Sequence, residues 1–113
     1  SMLANGGEWD GKKIVSSGIL SLMEESLVSG EDKVLCLGNA FSAGFMKGRN
    51  DLNRRRIFGN SIHAFGHPGA GGSHAFADPE NSLSFAYTMN KMNYGVLPGP
   101  KVLDMLDVIY GIE

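Results

Sequence analysis

The residues equipped for chemistry crowd into one stretch, FGHPGAGGSHAFADPE at positions 65–80. His67 carries an imidazole that can gain or lose a proton near neutral pH. Directly after it, Pro68, Gly69, Ala70, Gly71 and Gly72 clear bulk away from the backbone. A phosphate-cradling loop, a metal site or an edge strand lying beside a reacting carbonyl would each use such a run. A fourth chemistry, a serine nucleophile on a sharp turn, is suggested further upstream by AFSAG (40–44).

GHPGAGGS (66–73) has the glycine spacing and final serine of a P-loop, but Gly72 stands where the lysine that pairs with the β- and γ-phosphates belongs. The following SHAFADP alternates like a strand, whereas a P-loop opens a helix. His63, His67 and His74, with Asp78 nearby, contain the spacing HAFGH of a zinc helix, yet Gly66 and Pro68 oppose a helix and the general-base glutamate is missing. On a strand, residues four apart stand ~13 Å from each other, too far to share one ion. No metal is expected, and His63 and His74 read as ordinary surface or core histidines. AFSAG is one alanine short of G-x-S-x-G, and FMKGRNDLN offers no apolar periodicity for the helix that must follow, so Ser42 reads as a strand residue.

The edge-strand reading fits better. Proline has no amide to donate and belongs at a sheet edge or strand end. Gly69, Gly71 and Gly72 would keep side chains off a substrate lying along that edge, leaving backbone N–H groups to polarise its carbonyl. A glycine-rich bulge that merely bends a sheet accounts for the same residues equally well.

The elements that must position this stretch are short. NGG and DG in the first 11 residues are turn signals. A helix follows, capped by Ser16 or Ser17, with Ile19, Leu22 and Met23 on one face, Leu20 and Leu27 widening it, and SGED (29–32) ending it. KVLCLGNAFSAGFM (33–46) reads as extended, with Phe41, Ala43 and Phe45 on one side. Strands are expected at about 61–69, at 73–77 and at 83–90, the last two joined by the turn residues of DPENS. The last strand puts Leu83, Phe85, Tyr87 and Met89 on one greasy face. Pro100 opens and Gly111 closes a final helix whose core stripe is Val102, Met105, Leu106 and Ile109, with Leu103 and Tyr110 beside it. The order implies an α+β fold, an antiparallel sheet packed with N- and C-terminal helices.

At 113 residues the chain is one domain, with the 42% apolar and 19% charged content of ordinary globular proteins. Sixteen glycines argue against an all-helical bundle. A net charge of −2 gives no general attraction to nucleic acid or to an anionic membrane, and neither is expected as a partner. The basic stretch KGRNDLNRRR (47–56) reads as a solvated strand and turn, without aromatics to stack bases. Single Cys36, inside VLCLG, excludes an internal disulfide and reads as a small buried side chain, favouring a reducing compartment. No run approaches the ~20 apolar residues of a membrane span. Ser1 before Met2 resembles a tag remnant, so the chain is expected to be an excised piece.

HPGAGGSHAFADPENSLSFAYTMNKM resembles the C-terminal part of the serine β-lactamase and penicillin-binding-protein superfamily, and in particular its class C-like esterase branch, where Lys-Thr-Gly is often His-x-Gly. LANGGEWDGKKIVSSGILSLM is similar to the segment before that motif, so the likeness spans nearly the whole chain. The resemblance implies that residues 1–113 are a single C-terminal fragment of an incomplete β-lactamase/transpeptidase-like fold. The whole protein would then transfer an acyl group to a serine and on to water, from an ester, amide or lactam, with no cofactor. Ala70, just after the motif's glycine, would give one oxyanion-hole N–H, and His67 would replace the motif's lysine. Pro68, Gly69, Gly71 and Gly72 would line the substrate. Pro68 lacks the threonine hydroxyl that helps hold a lactam carboxylate, which favours esterase or peptidase-like work. The family's S-x-x-K and Y-x-N occur nowhere in these 113 residues, so the fragment is expected to be inactive alone. Without the two N-terminal strands that complete the family's five-stranded sheet, LSFAYTMN would form an exposed edge and drive homo-oligomerisation. A non-catalytic binding or scaffold domain with the same sheet is the alternative.

Overall fold

The computed structural model describes residues 1–48 and 56–111. Asn5-Gly6-Gly7 ends a 3-10 turn (Leu3–Asn5), with Gly6 in the left-handed region. Asp10-Gly11 joins β1 (Glu8–Trp9) to β2 (Lys12–Lys13) in the two-residue hairpin that such a pair favours. Helix α1 (Ser17–Glu24) begins where the Ile19 amide donates to Ser16 Oγ at 3.3 Å.

Between α1 and the glycine-rich stretch, the chain departs from the expected pattern. The helix stops at Glu24, and the residues expected to end it lie in a strand, β3 (Val28–Asp32), paired from Val28 with Phe41 to Asp32 with Leu37. Residues 33–46 are not one extended run but the turns of two hairpins around β4 (Leu37–Phe41) and β5 (Met46–Lys47). Asp32 Oδ1 accepts the amides of Val34 (2.8 Å) and Leu35 (2.9 Å), which reverses the chain at the first. Cys36 therefore sits exposed in that turn at φ 53°, not buried in a strand. Ser42 follows β4 as a buried turn residue, its amide donating to the Phe45 carbonyl at 2.9 Å. Phe41 and Phe45 thus belong to opposite arms of a hairpin rather than to one strand face.

Of the expected basic surface, Lys47 is 5% exposed, the reverse of a solvated side chain; Arg56 is exposed, and 49–55 lie outside the described residues. The strand expected at 61–69 shortens to β6 (Phe65–Pro68), because Ser61–Ala64 turn back on themselves. β7 (His74–Asp78) and β8 (Leu83–Tyr87) follow as expected, although β8 ends before Met89. Helix α2 (Pro100–Tyr110) opens on Pro100 and closes on Gly111 at φ 65°.

β3 to β8 form a six-stranded antiparallel sheet in sequence order, with β3 and β8 at its edges. Period-two alternation gives each face its own core. Phe76 joins Met46, Phe58, Ala64 and Leu106 on the α2 side, with Leu83, Phe85, Leu103 and Tyr110 packed against them. Phe65 and Ala77 join Ala4 and Leu20 on the α1 side. In α2 the buried stripe is Val102 and Leu106, flanked by half-buried Leu103 and Tyr110. Met105 and Ile109 stay exposed, so the helix is rotated from the expected stripe. In α1 likewise Leu20 is buried while Ile19 and Leu22 are not.

Candidate active site

The glycine-rich stretch is a strand, a tight turn and a strand. β6 pairs along its whole length with β7, Phe65 opposite Ala77 and Pro68 opposite His74. β5, on the other side, pairs with Phe65 and Gly66 only. From His67 onward the outer edge of β6 therefore has no strand partner among the described residues. Pro68, with no amide to donate, sits where an interior strand would have required one. Gly66 must be glycine for space, since a Cβ there would strike the Ala75 carbonyl and the Phe76 side chain.

The turn is closed by Gly69 N–H donating to the Ser73 carbonyl (2.7 Å) and Gly72 N–H to the Gly69 carbonyl (3.0 Å). Ala70 stands exposed at its tip, and its N–H has no backbone acceptor among the described residues. Gly71 and Gly72 are buried, at φ 88° and 113°, a region that side chains disfavour. Their identity is thus set by the turn and by the chain lying over it, where Met92 side-chain atoms come within 2.6 to 3.0 Å of a Cβ placed on Gly71.

His67 is exposed on the α1 side of β6, and its Nδ1–H donates to the Pro68 carbonyl at 2.7 Å. That bond fixes the ring and leaves Nε2 free for a ligand. A cleft of about 550 Å³ opens beside it, lined by Phe65, Ala75, Ser84, Ala86, Met2 and Leu3 among others. His67, Gly69 and Ala70 are hence close neighbours on one unpaired edge, while Pro68, Gly71 and Gly72 are covered.

The remaining histidines go elsewhere. His63 is exposed and 3.3 Å from Glu24. His74, 2% exposed, stacks on Phe58 at 5.2 Å and donates from Nε2 to the Ile57 carbonyl at 2.6 Å. Burial pulls its pKa down against that hydrogen bond. No cluster of three His, Cys, Asp or Glu suited to a metal ion occurs among the described residues. Lys47 lies on the α1 side, its ammonium 5.9 Å from the centre of the Phe65 ring and without a hydrogen-bond partner among the described residues. Desolvation lowers its pKa, while Glu24 and Asp78 pull the other way. Sequence reasoning passed over two contributors. Residues 89–95 cover the turn, and His74 supports Pro68 from across the ladder. Neither carries a periodic or motif signal that would have exposed it.

With this geometry in view, the comparisons are consistent. Residues 1–102 match the Beta-lactamase family, and the chain belongs to that family. Among solved structures it is similar to a penicillin-binding protein homolog from Caulobacter crescentus, at 34% identity and a TM-score of 0.85, over 99% of this chain and 29% of that one. It is also similar to a family VIII carboxylesterase, at 29% identity and a TM-score of 0.86, again over 99% and 29%. EstA from Arthrobacter nitroguajacolicus Rue61a follows at 27% identity and a TM-score of 0.75, over 97% and 29%. The chain thus spans 29% of the length of each of these structures. No curated protein matches it. The chain has the α+β fold of its family, and no helix among the described residues is long and apolar enough to cross a membrane.

Proposed function

We propose that this chain supplies the third motif and half of the oxyanion hole of a serine hydrolase that acts on ester, amide or lactam carbonyls. His67-Pro68-Gly69 stands in for Lys-Thr-Gly, and the Ala70 amide is the donor to the developing oxyanion. One observation carries this: exposed Ala70, whose amide has no backbone acceptor among the described residues, stands at the tip of a closed turn that continues a strand edge unpaired among those residues. A donor fixed before the reaction costs no reorganisation when charge develops, which is what oxyanion stabilisation requires. The Nε2 of His67, on the same edge, would shape the field at the nucleophile or meet the substrate's polar end. Pro68 brings no hydroxyl to hold a lactam carboxylate, which favours esters.

The nucleophilic serine and its proton-handling partners would come from polypeptide outside these residues, so the fragment alone would turn over neither p-nitrophenyl esters nor nitrocefin. In the full-length protein, a fluorophosphonate probe should label a serine in an S-x-x-K context. There, Ala70→Pro deletes the proposed donor and should lower kcat by about 10²- to 10³-fold, the usual cost of one oxyanion donor. Wild-type kcat in a folded Ala70→Pro protein, or turnover by the fragment that survives His67→Ala, would sink the assignment. Absence of any labelled serine would favour a non-catalytic scaffold.

A further inference from the structure

We infer that residues 92–95 form a strap that holds the Ala70 amide in its working position. This rests on the reading of that amide as an oxyanion donor. The turn's own bonds, from Gly69 to Ser73 and from Gly72 to Gly69, close its base and leave the Ala70–Gly71 peptide, at its centre, without a bond inside the turn. That support comes from a segment about twenty residues later. Gly71 N–H donates to the Gly95 carbonyl at 3.0 Å, and Asn93 N–H donates to the Gly71 carbonyl at 2.8 Å. Gly71 is thus gripped through both of its backbone polar groups. Met92 lies against it from the side, and Met89 and Asn93 side-chain atoms approach Gly72, at 3.6 and 3.7 Å from a Cβ placed there.

The grip reaches the donor through one residue, since the Ala70 N–H lies in the Gly69–Ala70 peptide, whose carbonyl accepts from Gly72. The carbonyl of Ala70 and the amide of Gly71 share one rigid peptide plane. Holding the Gly71 amide on Gly95 therefore fixes the orientation of that plane and leaves the Ala70 N–H only the rotation about its own residue. The glycine at 71 is what lets Met92 come so near, at a left-handed φ of 88° that a side chain would resist. Because the strap belongs to the segment between β8 and α2, the position of the donor is set by elements on both sides of it. Asn93 and Met92 are positioning residues in this scheme; neither touches the substrate.

The test uses the full-length protein with matched p-nitrophenyl esters and thionoesters. Sulfur is the poorer hydrogen-bond acceptor, so a working hole favours the oxygen ester, and the ratio of the two rates reports on hole geometry. Asn93→Pro removes the amide that grips Gly71. It should lower kcat on the oxygen ester by about 10- to 100-fold, the scale of a misplaced catalytic group, with KM within about twofold, and should move the ratio toward one. Met92→Ala keeps both backbone bonds and, with Met92 mostly exposed, leaves folding intact; it should shift kcat and the ratio the same way by a smaller factor. A folded Asn93→Pro protein with wild-type kcat and ratio overturns the strap; if that variant does not fold, a wild-type kcat and ratio in Met92→Ala does so. Ala70→Pro separates the two claims. A wild-type ratio there means that the hole is misassigned and the strap falls with it. A collapsed ratio there beside an unchanged one in Asn93→Pro removes the strap alone.

Discussion

His74 buries an imidazole and leaves one of its nitrogens without a partner among the described residues. Its Nε2–H faces the Ile57 carbonyl, so in the neutral ring the free lone pair lies on Nδ1, which is buried and meets no donor among the described residues. Phe58, Phe76 and Phe85 surround the ring. A proton on Nδ1 would put a charge among apolar rings with nothing to answer it, and burial accordingly holds the pKa below its ordinary 6.5. The unfolded chain then binds this proton more readily than the folded one. The stability owed to neutral His74 is complete above about pH 6.5 and is lost as the pH falls from there through the lowered folded value. His74→Gln retains a donor for Ile57 without the titration. Urea unfolding should show the wild type losing more stability than His74→Gln between about pH 7 and pH 5; parallel profiles would clear His74 of the effect. Because His74 pairs with Pro68 at the end of β6, the same loss would loosen the strand that leads into the turn.

Among the elements, α2 is tied to the sheet by a polar anchor as well as by its apolar stripe. Asp78 at the end of β7 is 0% exposed, and its Oδ2 accepts from Tyr110 Oη–H (2.6 Å) and Asn81 Nδ2–H (2.8 Å). Burial, and then the bond to Asp78, push the Tyr110 pKa far up, so the phenol remains a donor throughout the working pH range. Tyr110→Phe leaves a buried carboxylate oxygen short of one donor. It should cost about 1–3 kcal/mol in chemical denaturation with an unchanged slope; a loss below about 0.5 kcal/mol would mean that Asn81 satisfies Asp78 alone.

The sequence made this region legible because its signals are local: Pro100, Gly111, the turn residues of DPENS and the alternation of Leu83, Phe85 and Tyr87 each act within a few positions. The β3–β4–β5 hairpins were not legible. Their first turn is made by the Asp32 side chain and a left-handed Cys36, without the usual glycine or proline, and the second hides in the apolar alternation of FSAGF. For the candidate site, the position of His67 and the bare turn could be read from residue types. The burial of Gly71 and Gly72 could not, because it depends on a segment about twenty residues away.

For the molecule as a whole, the open question of assembly falls on β8. This strand ends the sheet, and its outer row of N–H and C=O groups faces no strand among the described residues. Leu83, Phe85 and Tyr87 are half-buried on the α2 side, while Ser84 and Ala86 are exposed on the other. An unpaired edge of five residues is a template for another strand unless charge, proline or a bulge protects it, and β8 contains none of the first two. Apolar surface adds to the pull, since Ile19, Leu22, Met105 and Ile109 all remain exposed on the two helices. The chain should therefore self-associate through β8, either edge to edge or by strand exchange. Ala86→Lys places a charge on the exposed face without disturbing the core side and should shift the chain toward monomer. Light scattering across a concentration series would read both. A wild-type chain that stays monomeric at high concentration would refute edge pairing, and an oligomer that Ala86→Lys leaves intact would move the interface away from β8 to the exposed helix faces.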